Sequence, residues 1–272
     1  MKSKLPALPY LIWMLLFILV PLGLVVFFAF TTGDGSFTLD NIFGVGQYTA
    51  VLIKSLWLAA LSTVICLAVG YPVAYMISRT GPSRQRLMIL LIMLPMWMNF
   101  LLRTYAWMTL LEKNGLINKL LRLIGLPAMD LINTPGAVVL GMVYNYLPFM
   151  ILPLYSIMTK IDRKVIEAAQ DLGANPFQVF IRVIIPLTVP GITTGVVMVF
   201  MPAVSTFIIS RMLGGGGNLL IGDLIDLQFL GNAYNPHLGA AISLVLMVVI
   251  LLCMSVMNQF DADNTEREEM LL

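Results

Sequence analysis

Few residues of this 272-residue chain could take part in catalysis. His237 is its only histidine, and the sequence supplies it with no partners for a catalytic triad or a metal site. Residues 214–217 are glycines, but the Gly-Lys-Ser/Thr that a phosphate-binding loop requires does not follow them. The sequence therefore predicts that the chain is not an enzyme, binds no cofactor or metal, and hydrolyses no ATP by itself.

Aromatic and amide side chains are the groups that could meet a cationic ligand, because a cation over an aromatic face gains about 0.5–2 kcal/mol. The aromatic candidates are Trp97, Tyr105, Trp107, Tyr144 and Tyr146. The amide candidates are Asn99 and Asn145, the second of which lies between two of the tyrosines. The alternative is that the aromatic residues form an interfacial belt or pack between helices.

Three charged residues could also act on such a ligand. Arg103 is the only ionised side chain well inside a predicted membrane span, where charges are costly and often functional. It could snorkel outward or pair with Asn99 or an outer acid, and its charge favours a structural or gating role over contact with a cation. Asp223 and Asp226 are three residues apart in an outer loop. They could attract an entering cation or form a solvated helix face.

A polar to amphipathic segment, residues 159–186, could present a folded surface outside the membrane. Asp162 is a good N-cap for a short helix, and Gly173 is typical of the position just after a helix end. Asn175, followed by proline, predicts the start of a second helix, which should stop before Pro186. The segment could rest on lipid headgroups or form a rigid docking element for a cytoplasmic protein.

The elements that must position these residues are membrane spans. Hydrophobic residues make up 59% of the chain and charged residues 11%, against about 45–50% and about 25% in soluble domains. Six apolar stretches reach the length of about 20 residues that a span needs. They are residues 10–30, 53–78, 87–110, 135–158, 187–209 and 238–257. The first stretch follows Lys2 and Lys4, but it is too long for a signal peptide and predicts a retained helix.

The distribution of lysine and arginine predicts the orientation. Ten of the 16 basic residues fall on one side of the six spans, five fall on the other, and Arg103 lies within a span. Because the richer side is usually cytoplasmic, both termini and residues 159–186 are predicted to lie in the cytoplasm. The expected fold is an all-α membrane protein with one domain over residues 1–272 and a core over about 53–258. No basic block indicates nucleic acid binding.

Prolines inside the spans predict irregular helices, because each removes a backbone hydrogen bond and kinks or breaks the helix unless neighbours compensate. They are Pro72, Pro95, Pro148, Pro153 and Pro202. Such prolines could reflect simple bundle geometry or the lining of a transport pathway.

The segment that begins at Glu167 resembles the EAA loop of inner-membrane permease subunits of ABC importers. That loop reads Glu-Ala-Ala, three residues, Gly, nine residues, Ile-x-Leu-Pro, and this chain departs from it only at Val183 and Ile185. The resemblance implies a type I importer permease fold with a cytoplasmic coupling helix that docks on an ATP-binding subunit. The residues that it places in this role are Glu167, Ala168, Ala169, Asp171, Gly173, Phe177 and Pro186.

A wider resemblance covers nearly the whole chain and is to permeases of the spermidine/putrescine type. It rests on residues 102–108, 146–155, 171–174 and 213–217 with Leu220-Ile-Gly. It implies several partners: a second homologous permease, two ATP-binding subunits that hold ATP and Mg²⁺, an external solute-binding protein, a small cationic substrate and bacterial inner-membrane lipid. The alternatives are an ABC permease for an opine, phosphonate, sulfate or iron, an ion-coupled carrier, and a membrane scaffold. A carrier would usually need an intramembrane carboxylate, and no predicted span contains one.

Overall fold

A computed structural model describes residues 8–231 and 233–269, with side chains for residues 9–231 and 233–257. Within these ranges the regular structure is helical apart from one isolated antiparallel bridge between Thr31 and Phe37. Lys2 and Lys4, which contribute to the predicted orientation, lie outside the described residues.

The long helices of the described chain are joined by short irregular connections. In chain order they are α1 (Pro9–Ala29), α2 (Thr49–Ser78), α3 (Pro82–Met93), α4 (Phe100–Leu111), α5 (Leu116–Leu123), α6 (Pro135–Met158), α7 (Arg163–Asp171), α8 (Pro176–Ser205), α9 (Ile208–Leu213), α10 (Ile221–Leu230) and α11 (Pro236–Glu269). Helical turns at Asp40–Gly44 and Val45–Tyr48 lead into α2, and another at Leu94–Trp97 follows α3.

Five helices in the described ranges are long and apolar enough to span a membrane. A sixth span is present if the bent pair that follows α2 counts as one. The predicted all-α membrane fold is therefore confirmed, with the third span broken near Pro95, one of the prolines predicted to kink or break a span.

Helix α6 lies at the centre of the molecule and packs against α2 and α8, which also contact each other. Met150 of α6 is fully buried in this contact. A Cβ at Gly195 of α8 would lie 2.7 Å from the Met150 sulfur, and one at Gly70 of α2 would lie 3.1 Å from Met150 Cγ. These two glycines let the helices approach closely, as small residues do in membrane bundles.

The third predicted span, residues 87–110, is not one helix. Its two halves, Pro82–Trp97 and the stretch that begins at Phe100, bend by 89° at the intervening break. Pro95 lacks a donor within a tight helical turn, and Met98 is extended with ψ of 149°. The Asn99 side chain then caps α4 by accepting a hydrogen bond of 2.8 Å from the Leu101 N–H. A proline followed by a new cap explains why an apolar run long enough to span is interrupted.

The fifth predicted span, residues 187–209, has different bounds from those expected. Helix α8 ends at Ser205, Thr206 is extended, and α9 begins at Ile208. The break lies against Gly222 of α10, where an added Cβ would sit 2.5 Å from the Ser205 carbonyl oxygen. The other prolines predicted to kink spans, Pro72, Pro148, Pro153 and Pro202, lie inside continuous helices.

The sequence predicted that the second helix of the polar segment stops before Pro186, and this prediction was wrong. The helix continues through that residue as part of α8. The residues Phe180–Ile184 form a π-helical turn, in which the Ile185 N–H bonds to the Phe180 carbonyl five residues back. The hydrogen-bond register changes just before Pro186. The N–H that this proline lacks therefore does not end the helix.

Candidate functional site

The polar segment forms a rigid elbow, residues 162–178, in which α7 and the start of α8 meet at a tight turn. The Asp162 side chain accepts a hydrogen bond from the Lys164 N–H at 3.0 Å, which caps α7. Asn175 and Gln178 form a reciprocal capping box at the start of α8, with bonds of 2.8 and 3.0 Å. Both predicted helix starts are confirmed.

Gly173 closes α7 in a left-handed conformation, with φ of +88°. Its N–H bonds to the Gln170 carbonyl at 2.9 Å, and the Ala174 N–H bonds to the Ala169 carbonyl at 3.1 Å. This pair of bonds is the Schellman motif, which favours glycine at its left-handed position. The turn between the two helices is therefore set by local hydrogen bonds, as expected for a stiff element.

The outer surface of the elbow is exposed and partly apolar. The sequence singled out seven residues here, of which Ala169 is half-buried and the rest are exposed, namely Glu167, Ala168, Asp171, Gly173, Phe177 and Pro186. Phe177 is 70% exposed, and Leu172, which the sequence analysis missed, is 89% exposed. Two large apolar side chains therefore flank the Gly173 turn on a surface that the rest of the described chain does not cover. Such a patch is typical of a docking site.

Between α7 and the end of α2 lies an open cavity of about 240 Å³. The residues that line it are Tyr75, Arg79, Arg163, Ile166, Glu167 and Gln170. Sequence reasoning missed Tyr75 and Arg79. Their signal was the four-residue spacing of Tyr71, Tyr75 and Arg79, which places them on one face of α2.

The candidates for a pathway are not gathered into one site. Arg103 is only 9% exposed, its guanidinium lies 5.8 Å from the Phe100 ring centre, and its Nε has no hydrogen-bond partner in the described chain. Asn99, proposed as its partner, instead caps α4. The buried side chain also does not snorkel to the surface of the isolated chain.

The aromatic candidates divide by burial. Trp97 and Tyr105 are exposed, whereas the rings of Trp107 and Tyr144 meet edge to face at 5.4 Å between α4 and α6. Tyr146 is buried, and its hydroxyl donates a hydrogen bond of 3.3 Å to the Pro202 carbonyl.

Asn145 is buried as well. Its side-chain amide donates to the Gly141 carbonyl at 2.8 Å, and its Oδ1 has no partner among the described residues. Asn145 and Tyr146 therefore lie in the helix-packing core, as the packing alternative predicted, and Trp97 and Tyr105 remain free to contact another molecule.

Asp223 does not lie on a solvated helix face. It is fully buried, accepts hydrogen bonds from the Ser210 hydroxyl at 2.5 Å and the Leu220 N–H at 2.9 Å, and lies 3.7 Å from the Arg211 Nε. Asp226, which is partly exposed, also pairs with Arg211. Asp223 lies outside the candidate spans, and burial raises its pKa, opposed by the Ser210 hydrogen bond, the Leu220 N–H and the Arg211 charge. The Asp223 side chain therefore links α9 to the start of α10.

The same network reaches the start of α2. The Ile221 N–H donates to the Ser55 hydroxyl at 2.8 Å, and Lys54 donates to the Asn218 side chain at 2.9 Å. The loop between α9 and α10 is thus held by polar contacts at one end of the bundle, while the elbow lies at the opposite end of α6.

Residues 55–263 match the family described as the inner membrane component of binding-protein-dependent transport systems. The chain belongs to this family. The permease is therefore a transport component in the inner membrane and not an enzyme, as the sequence predicted, and its helices cross the membrane several times. The exposed elbow carries the family resemblance noted in the sequence.

Individual relatives agree with this assignment. The permease is 41% identical over 250 residues to the spermidine/putrescine transport system permease protein PotB of Haemophilus influenzae, covering 88% of this chain and 87% of the relative. It is 38% identical over 248 residues to the protein of the same name in Escherichia coli K12, covering 88% and 90%.

A solved bacterial ABC transporter that imports the acidic polysaccharide alginate has a chain with the same fold. The TM-score is 0.81 at 20% identity, and the match covers 94% of this permease and 93% of that chain. At this identity the likeness establishes the fold alone.

Proposed function

We propose that this permease forms half of the translocation pathway of an ATP-driven importer for polyamines such as spermidine and putrescine. Its partners are a second homologous permease, two ATP-binding subunits that hold ATP and Mg²⁺, and an external binding protein that delivers the substrate. The relatives named PotB, at 38–41% identity over most of both chains, support the substrate class.

The elbow is the observation that carries the proposed energy source. ATP-driven closure of two subunits can move a permease only through a stiff contact, and the elbow is capped at both helix starts and closed at Gly173. Its exposed apolar residues, Leu172 and Phe177, give a docking subunit surface to bury. The predicted contact residues Glu167, Ala168, Ala169 and Asp171 lie on α7, and Phe177 and Pro186 on α8.

We further propose that both termini and the elbow face the cytoplasm. This orientation follows from the ten-to-five distribution of basic residues and places the elbow where ATP is available. The Asp223 network then lies on the outer side, near the point where the binding protein docks.

The exposed aromatic residues Trp97 and Tyr105 are the best candidates in this chain for contact with a passing polyamine. Weak sites of this kind suit transport, because a substrate must leave the pathway as well as enter it. Arg103 is assigned a structural or gating role, since its positive charge would repel a polyamine.

Reconstitution of the complete importer in vesicles tests this function. Labelled spermidine and putrescine should accumulate only with internal ATP, the ATP-binding subunit and the external binding protein present together. Sulfate, iron and phosphonate should neither be taken up nor compete. Uptake that follows a sodium or proton gradient and ignores ATP would show an ion-coupled carrier, and a complex that transports nothing would favour a scaffold.

Replacement of Glu167 by alanine should impair coupling more than membrane insertion. The side chain is exposed on α7 and makes no ion pair within the described ranges, so its loss leaves the fold intact. Uptake should fall about tenfold, which corresponds to about 1.4 kcal/mol, at an unchanged level of membrane-inserted protein. Glu167→Gln keeps the length of the side chain without the charge. It therefore separates the contribution of the charge to coupling from that of the side-chain length. Uptake at the wild-type rate in Glu167→Ala would remove Glu167 from the coupling contact.

A further inference from the structure

Three side chains on one face of α2 connect the elbow to the membrane core. Tyr71, Tyr75 and Arg79 follow one another at intervals of four residues, so they are stacked along the helix towards its end at Ser78. We call these residues the α2 stripe. The two tyrosines contact the start of α8, and Arg79 lines the cavity beside α7.

The two tyrosines of the stripe hold the start of α8. The Tyr71 and Thr188 hydroxyls share a hydrogen bond of 2.8 Å that is buried inside the protein. The Phe180 ring meets the Tyr71 ring edge to face at 5.6 Å and the Tyr75 ring at 5.9 Å. Phe180 is the first residue of the π-helical turn, so both contacts act on the segment of α8 where the hydrogen-bond register changes.

Arg79 joins the stripe to the elbow. Its guanidinium lies 5.1 Å from the centre of the Tyr75 ring, which places it over the aromatic face. Its Nε is buried and has no hydrogen-bond partner in the described chain. Arg79 also lines the cavity beside α7, together with Arg163 and Glu167.

The charges around this cavity are not paired directly. Glu167 supplies a carboxylate and the two arginines supply positive charges, yet no ion pair within 4.0 Å joins them among the described residues. The remaining lining groups are neutral. A displacement of α7 towards α2 would bring Glu167 towards Arg79 and give the unpartnered Nε an acceptor.

The end of α2 is held in place by hydrogen bonds to neighbouring helices. The Gln85 side chain donates hydrogen bonds to the Ser78 carbonyl at 3.1 Å and to the Thr80 carbonyl at 2.9 Å. The Tyr155 hydroxyl of α6 in turn donates to the Gln85 side chain at 3.1 Å. The backbone on both sides of Arg79 is therefore linked through Gln85 to α6, and α7 faces it across the cavity.

We propose that Arg79 is a positioning residue that transmits movement of α7 to the membrane helices. Docking or closure of the ATP-binding subunits moves Glu167 towards Arg79, and the contacts Arg79–Tyr75–Phe180–Tyr71 carry the movement to α2 and to the π-helical turn of α8. Single π-helical turns inside α-helices are frequent at functional positions. This inference rests on the proposed function of the elbow.

The test uses the complete importer in vesicles, with uptake and ATP hydrolysis measured in the same sample. In Arg79→Ala we expect the ATP-binding subunit to co-purify in full and basal hydrolysis to persist, while uptake per ATP hydrolysed falls about tenfold. Arg79→Lys keeps the charge but not the planar stacking group, so it should recover part of the loss. Tyr75→Phe keeps the ring and should behave as wild type, whereas Tyr75→Ala should resemble Arg79→Ala.

Arg84→Ala is the matched control, because Arg84 is an exposed arginine on α3 that does not line the cavity. It should leave uptake per ATP unchanged. A wild-type ratio in Arg79→Ala would overturn the inference, and so would loss of the ATP-binding subunit from that variant, since Arg79 would then act in docking or folding. Failure of the proposed function is distinguishable, because the wild-type importer itself would then show no ATP-dependent uptake.

Discussion

Replacement of Gly173 by aspartate should abolish uptake while the protein still inserts in the membrane. The residue has φ of +88°, where an L-amino acid costs about 1 kcal/mol or more. The new carboxylate would also stand between the exposed side chains of Leu172 and Phe177 on the proposed docking surface. Burying it there without a partner costs at least about 2 kcal/mol. The burial cost alone corresponds to about a 30-fold loss of docking affinity, and the backbone strain weakens the elbow itself.

Co-purification of the ATP-binding subunit and uptake in vesicles measure this prediction. Gly81→Asp is the matched control, because Gly81 also borders a short turn with no atom near its missing Cβ, but has φ of −71° and caps α3. Aspartate is favourable at a helix N-cap, so this variant should transport normally. Gly173→Asn tolerates the left-handed conformation without a charge and should retain more activity than Gly173→Asp. Normal docking and uptake in Gly173→Asp would exclude the elbow as the coupling site.

Replacement of Asp223 by alanine should destabilise the bundle more than any change in the elbow. The carboxylate is fully buried, and its loss leaves the Ser210 hydroxyl and the Leu220 N–H without their acceptor. Leaving a buried donor without its acceptor costs about 1–3 kcal/mol for each group. The midpoint of thermal unfolding of the purified permease in detergent should fall by several degrees, with less protein in the membrane.

Asp226→Ala provides the comparison, because Asp226 contacts the same arginine but is partly exposed. Pairs of this kind contribute at most about 1 kcal/mol, so its unfolding midpoint should change little. Asp223→Asn retains an acceptor oxygen without the charge and should be intermediate in stability. If Asp223→Asn were as stable as wild type but slow in uptake, Asp223 would act on the entering cation, and the structural role assigned to it would be wrong.

The elbow was largely predictable from the sequence because its determinants are local. An N-cap at Asp162, a left-handed Gly173 and a capping residue at Asn175 each act within four residues of their own position. The structure confirms all three. What failed was the end of the second helix, since the π-turn that lets α8 continue through Pro186 is packed against Tyr71 and Tyr75 from a distant part of the chain.

The third span shows what hydrophobicity alone does not predict, namely a break in the backbone of an apolar stretch. Residues 87–110 are apolar enough to span a membrane. Their hydrophobicity contains no information on the donor that Pro95 lacks or on the new helix that Asn99 caps. The solvated-face alternative for Asp223 was wrong for a related reason. The carboxylate is buried against Ser210, thirteen residues away, and a buried carboxylate and a solvated one look alike in the sequence.

The sequence by itself determined the membrane class, the number of hydrophobic stretches, the elbow and its family, because composition and short-range capping depend only on nearby residues. The tertiary structure alone decided which polar groups are buried. It also decided which of the span prolines marks a break and where α8 ends, and it placed Arg79 and Glu167 in the lining of one cavity. These features depend on contacts between residues more than a hundred positions apart, such as Tyr71 with Thr188, which are formed only when the helices pack.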